Sequence, residues 1–301
     1  MTLVVSLGAL ACPGEGPISV LVPYPAGGSL DVTTRLVAKA VSTRLGRSIV
    51  VMNVPGASGL IAVRRLLAAP LDGCTLLGAT ANTVVILPLQ NPHAGFSGTD
   101  LIPIALVGET EMVLVASVQS GLRDMAALNR AVRSARTLRA GHPGSDSVQA
   151  LALDALESRL HAHFVQVPYG GAGMMVGDLV GGHIELAVLA KPVALPLVKR
   201  GLAVLLGTMR LGENDPLPTW SGWFAARGVA SAAVMPVRRA MQQSLADPPL
   251  ARALAEMGMD LDRVPPEALV DEIAHSVHWV RQLLAARPAA KDPPAGRSDA
   301  R

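Results

Sequence analysis

The stretch Val22-Pro23-Tyr24-Pro25-Ala26-Gly27-Gly28-Ser29-Leu30-Asp31 decides the reading of the fold. Before it, the β-branched run Ile18 to Val22 predicts a buried strand. After it, apolar Val32, Leu36, Val37, Ala40, Val41 and Leu45 share one helical face, with Arg35, Lys39 and Arg44 off it, so a helix begins at once. Two prolines and two glycines stand between strand and helix. That arrangement is suited to an anion. The first-turn N–H groups have no partner within the helix, the helix dipole adds partial positive charge, and glycines let a ligand approach the backbone.

Strands and helices continue to alternate outward from this point. Gly46 ends the first helix, and Ile49 to Met52 reads as a strand. Asn53 to Gly59 is a glycine loop, Leu60 to Ala69 a short helix, Leu71-Asp72-Gly73 a turn, and Cys74 to Gly78 a third strand. Such β-α-β-α-β order implies a parallel sheet with helices on both faces. Ile102 to Val107 and Met112 to Ala116 read as two strands, followed by a helix from Met125 to Arg136. A second α/β series covers Leu138 to Leu206, with its helices at Val148 to Leu160, Met174 to Val180 and Leu195 to Lys199. Beyond Gly212 the pattern changes. Leu217-Pro218-Thr219-Trp220 reads as irregular, and Ala233 to Ala246, Leu250 to Met257 and Pro266 to Ala286 as helices.

Composition narrows the function classes. The 301 residues suggest two domains; half are hydrophobic and 16% charged, which rules out global disorder. Aromatics make up only 3%, so the core is expected to be aliphatic. A net charge of +3 is too mild for nucleic acid, and neither Arg64-Arg65 nor Arg123 to Arg139 is interleaved with stacking aromatics. Met1 to Ala11 is apolar and ends in a small-x-small pattern without a basic start, a partial signal peptide. No later run is long enough to cross a membrane. Cys12 and Cys74 lack metal spacing; they could form one disulfide, but independent thiols are the expectation.

A second glycine loop mirrors the first. Val167-Pro168-Tyr169-Gly170-Gly171-Ala172-Gly173 again sets proline, aromatic and glycines between a strand and a helix. A single such turn is more often structural than functional, but the near-repetition points to one ligand held between two α/β units by main-chain N–H groups. Dinucleotide binding fails on spacing, since Val176 stands where a third glycine belongs, and no phosphate-binding lysine follows either loop. His275 and His278 lack a third metal ligand, and His142, Ser145 and Asp146 crowd one loop where a triad cannot be arranged.

These motifs occur in one order with Asn53-Val54-Pro55-Gly56-Ala57-Ser58-Gly59, Leu71-Asp72-Gly73-Cys74-Thr75-Leu76-Leu77 and Gly181-Gly182-His183-Ile184-Glu185. Together they resemble the Bug family, the extracytoplasmic solute receptors of tripartite tricarboxylate transporters, from about Pro17 to Ala286. The resemblance implies an α/β, two-lobed periplasmic binding fold, each lobe a mostly parallel sheet flanked by helices. It implies a monomer in the periplasm that delivers a small di- or tricarboxylate, or similar organic acid, to membrane permease subunits, with no cofactor and no metal. The first lobe would take residues 17–111 and 213–287 and the second 112–212, with 1–16 signal-like and 288–301 a disordered tail.

Carried over, the ligand-binding residues are Tyr24, Ala26, Gly27, Gly28, Ser29 and Asp31 in the first loop and Tyr169, Gly170, Gly171 and Ala172 in the second. Thr80, Asn82 and Thr83 follow the third strand, and Ser145 and Ser147 open a helix of the second lobe. Lys191 is added as a possible carboxylate partner, weighed evenly against a solvated lysine. Ser29 and Ser147 are equally well read as helix caps. Asp31 has the wrong sign for an anion site and is better read as capping an amide. The chain departs from the family at His142 to Asp146, at Leu189 and Ala190, and in a shortened Leu211 to Met235 stretch near the crossover. Three alternatives stay open at this level: an α/β enzyme using Lys191, Asp31 or His142, a receptor feeding a sensor kinase, and a degenerate, non-binding copy.

Overall fold

The computed structural model describes residues 16–144, 147–210, 217–261 and 268–286. Residues 1–15 of the signal-like segment, Ser145, Asp146 and the terminal tail lie outside the described residues.

The first half of the chain alternates as expected. β1 (Ile18–Val22), α1 (Ser29–Leu45), β2 (Ile49–Asn53), α2 (Leu60–Leu67) and β3 (Thr75–Thr80) follow in order, and β1 pairs in parallel with both β2 and β3. Gly46 ends α1 in the left-handed conformation, φ +63°. After β3 the chain makes a buried π-turn, Asn82–Ile86, and a short α3 (Leu87–Gln90).

β4 is the first departure from the sequence reading. Leu101–Ser117 is one continuous strand, where Gly108-Glu109-Thr110-Glu111 reads as a break. That polar stretch is held by partners far along the chain: Glu109 exchanges backbone hydrogen bonds with Asp260, and Thr110 Oγ1 donates to the Gly258 carbonyl at 2.7 Å. The second half supplies α4 (Met125–Arg133), β5 (Arg139–His142), α5 (Val148–Leu160), β6 (Val165–Pro168), α6 (Ala172–Gly181), β7 (Leu186–Ala190), α7 (Lys191–Lys199) and β8 (Ala203–Thr208).

β9 (Pro218–Ala226) is the second departure. The stretch read as irregular is a central strand, antiparallel to β3 on one side and to β4 on the other. Trp220, Trp223 and Phe224 on it are fully buried, so the few aromatics are concentrated in a core otherwise made of aliphatic side chains. Its Gly222 admits α10 (Ala268–Ala286) closely: a Cβ there would lie 2.7 Å from Leu269 Cδ2. Trp220 Nε1 donates to Ser276 Oγ of α10 at 2.9 Å. α8 (Ser231–Leu245) and α9 (Pro248–Glu256) complete the packing against α1 and β4.

The strand order is β2-β1-β3-β9-β4-β7-β5-β6, with β8 also on β4. β4 changes partners along its length: Leu101 to Glu111 pair with β9, Met112 to Ala116 with β7. The fold is therefore two α/β halves sharing one long strand, with β1 to β3 and β5 to β7 each forming a mostly parallel sheet flanked by helices. Cys74 is disulfide-bonded, which corrects the expectation of independent thiols; the chain's other cysteine, Cys12, lies outside the described residues.

Candidate ligand-binding site between the lobes

The two glycine loops meet face to face. A Cβ on Gly171 would sit 2.8 Å from Pro25 Cδ, and one on Gly173 3.2 Å from the Ala26 carbonyl oxygen. Beside them, Asn82 spans the lobes. Its Oδ1 accepts from the Val148 N–H at 2.9 Å, and its Nδ2 donates to Gln149 Oε1 at 3.1 Å. A cavity of about 80 Å³ lies between these contacts. At roughly 10–15 Å³ per water on that measure, it has room for several waters or one small molecule.

Helix ends dominate one side of the cavity. α1 begins at Gly28, which has the extended N-cap conformation and no side chain to cap the turn. Gly28, Ser29, Leu30 and Asp31 all line the cavity. α6 likewise begins at Gly171 without a side-chain cap, and Ala172 lines the opposite wall. α5 differs: Ser147 Oγ accepts from the Ala150 N–H at 3.2 Å, and Asn82 takes the Val148 N–H. Two helices thus present uncapped first turns to one cavity, where their N–H groups and dipoles favour negative charge.

Asp31 is turned away from that role. Its carboxylate accepts from the Gly27 N–H at 3.0 Å, from Asn53 Nδ2 at 2.9 Å and from Arg35 Nε at 3.0 Å. Burial pushes its pKa up, but Arg35, the Gly27 amide and Asn53 outweigh this and hold it below the usual carboxylate value. Asn53 also donates to the Tyr24 carbonyl, at 3.0 Å. Asp31 and Asn53 therefore clamp the loop from behind and hold Gly27 in the left-handed region, φ +86°, that glycine tolerates. The Tyr24 hydroxyl bonds Thr83 Oγ1 at 3.1 Å, and burial raises its pKa.

Among the residues singled out from sequence, Tyr24, Gly28, Ser29, Asp31, Thr80, Asn82 and Ala172 line the cavity. Ala26, Gly27, Gly170 and Gly171 belong to the loops behind its walls, and Thr83 supports Tyr24. Ser147 is a helix cap. Tyr169 points into its own lobe, where its hydroxyl donates to Asp178 Oδ2 at 2.6 Å; burial and Asp178 push its pKa up to about 12. Lys191 forms an ion pair with Glu111 Oε2 at 2.8 Å and is not among the lining residues. Ser145 is outside the described residues.

Sequence reading missed the far end of the cavity. Thr110 and Met112 of β4, Thr219 to Ser221 of β9, and Met259 form its floor, while Gln149 and Val193 come from α5 and α7. Recognising β9 as a strand was the missing signal. Among the described residues, no group of three His, Cys, Asp or Glu side chains could hold a metal ion, and no helix is long and apolar enough to cross a membrane.

The profile of the family described as "Tripartite tricarboxylate transporter family receptor" matches residues 33–277. The chain belongs to that receptor family. The receptor is 28% identical over 299 residues to Protein BugT of Bordetella pertussis, covering 88% of this chain and 89% of that one. A solved structure described as a periplasmic transporter shares 27% identity at a TM-score of 0.84, covering 91% of the receptor and 98% of its own chain. MatC from Rhodopseudomonas palustris, solved with bound malate, has the same fold at 24% identity and a TM-score of 0.80, with 90% and 99% covered. Family membership assigns the chain a receptor's role rather than an enzyme's. The match also spans residues 211–235, within which Pro218–Ala226 builds β9.

Proposed function

We propose that the receptor captures a small organic acid, a di- or tricarboxylate or a similar compound, between its lobes in the periplasm and presents it to the permease subunits of a tripartite transporter. The observation that carries this reading is the pair of uncapped helix N-termini, α1 and α6, facing one cavity from opposite lobes. One carboxylate would accept main-chain N–H groups from the first turn of α1 and of α6. Gly28 and Ser29 belong to that subsite, while Asp31, Gly27 and Thr83 position it. The malate bound to MatC supports the ligand class.

The lobes are assigned to residues 17–111 with 213–287 and to residues 112–212, since β4 exchanges β9 for β7 between Glu111 and Met112. Hinge motion would then concentrate where β4 changes partners, and Asn82 would help hold the closed form. The protein works as a monomer in this reading, and the closed form is what a permease reads. Isothermal titration of the purified protein against a panel of mono-, di- and tricarboxylates tests it. At least one acid should bind at micromolar Kd or tighter; folded protein that binds none would rule the reading out.

A further inference from the structure

The cavity's polar side chains are mostly engaged. Tyr24 bonds Thr83, Thr110 bonds the Gly258 carbonyl, Asn82 and Gln149 bond each other, and Asp31 holds three donors. The hydroxyls of Ser29, Thr80, Thr219 and Ser221 are not engaged in this way, and two of the four have fully buried oxygens. Ser221 Oγ is buried and makes no hydrogen bond, on a residue only 6% exposed. Thr80 Oγ1 is also buried and makes none of good geometry, although it lies beside the Tyr24 hydroxyl. These residues face each other as a cross-strand pair, Thr80 on β3 and Ser221 on β9, and both line the cavity. Other buried hydroxyls without partners, such as those of Thr34 and Ser244, belong to residues that do not line it.

A buried hydroxyl without a partner costs stability, so a pair of them in a cavity wall is best explained by a group that joins them there. Their position limits what that group is. β3 neighbours β1, and Thr80 lies beside Tyr24 in the loop that opens α1, so the pair sits next to the proposed carboxylate subsite. Among the described residues, no positively charged side chain lines the cavity to pair with a second charge at this point. Each hydroxyl can donate or accept, which suits a neutral oxygen, either hydroxyl or carbonyl. We infer that Ser221, with Thr80 opposite, is a specificity-determining residue that reads a neutral oxygen adjacent to the carboxylate, so the receptor prefers 2-hydroxy or 2-oxo acids over the unsubstituted acids. This rests on the receptor reading above and narrows its ligand class.

Matched pairs of acids test it by titration: lactate against propanoate, malate against succinate, and 2-hydroxy-4-methylpentanoate against 4-methylpentanoate. For the pair that fits, wild type should bind the oxygenated member at least tenfold more tightly, because a site built for a hydrogen bond rejects an analogue lacking it. Ser221→Ala should bring the ratio to within about twofold while leaving the unsubstituted acid's affinity unchanged. The same variant should keep or raise the melting temperature, since it removes an unsatisfied hydroxyl. Equal affinities in wild type, a ratio unmoved by Ser221→Ala, or an equal loss for both members would each overturn the inference. The last of these would mean that Ser221 touches the carboxylate itself. Folded wild type that binds no acid of the panel would defeat the receptor reading, and this inference with it.

Discussion

Gly28→Ser separates ligand binding from stability at the one place where the two should conflict. Gly28 is the N-cap of α1, with φ −77° and ψ 166°, a conformation any residue adopts. A Cβ there would meet nothing nearer than the Pro25 carbonyl oxygen, at 3.9 Å. Serine therefore fits, and its hydroxyl can accept one of the N–H groups that glycine leaves uncapped. Glycine is itself a tolerable cap, so the gain is only a few tenths of a kcal/mol, and the melting temperature should stay level or rise by about 1 °C. The carboxylate loses that donor. A hydrogen bond to a charged group contributes about 1.5–3 kcal/mol, so affinity should fall about 10–150-fold. Titration calorimetry with the tightest acid of the panel and a thermal melt of the unliganded protein read the two effects separately. Undiminished affinity would refute the assignment of the α1 N-terminus as the anion site. Affinity and melting temperature falling together would show ordinary structural damage instead.

Asp31→Asn should destabilise the protein by about 1–3 kcal/mol at pH 7, because three donors lose a charged acceptor. Since Asp31 is held below its ordinary pKa, its stabilisation is present above the unfolded carboxyl's value and is lost as pH falls through the folded one. The gap between wild type and variant in urea denaturation should therefore narrow in acid; a gap independent of pH would contradict the clamp. Asn82→Ala removes both side-chain bonds across the cleft and should weaken acid binding about 5–30-fold, read by calorimetry. Gly222→Ala drives a Cβ against Leu269 and the Ala105 carbonyl and should cost about 1–3 kcal/mol in denaturant titration; a neutral result would speak against β9 as a central strand. The chain's two tyrosines both have raised pKa values, Tyr169 at about 12. Ultraviolet titration of the folded protein should show no phenolate step near the ordinary value of about 10. The stability they contribute is full below that value and is lost as pH rises through the folded one.

What was legible in the sequence was local. Val22 to Asp31 and Val167 to Gly173 carry strand, turn and helix signals within ten residues, and the structure builds both loops from them. Val148 to Leu160 has the same bounds in the sequence pattern and in the structure, where Ser147 caps one end and His161 closes the other in the left-handed conformation. What was hidden depended on distant partners. Gly108 to Glu111 reads as a break between two strands until β9 and Asp260 supply its hydrogen bonds. Leu217-Pro218-Thr219-Trp220 reads as irregular because β9 gains its ladder from strands more than a hundred residues earlier. Lys191 could be offered to a carboxylate only while its partner Glu111 was unplaced. Asp31 is the instructive case: its sign argued against an anion contact from sequence alone, and its three donors now account for it.

The central claim is that α1 and α6 together hold a ligand carboxylate through their first-turn amides. A crystal structure with the tightest-binding acid of the panel measures this directly. Carboxylate oxygens should lie about 2.7–3.2 Å from main-chain nitrogens of both Ser29 to Asp31 and Ala172 to Met174. An acid bound through Lys191 or another side-chain cation, with those amides meeting no ligand oxygen, would contradict the account.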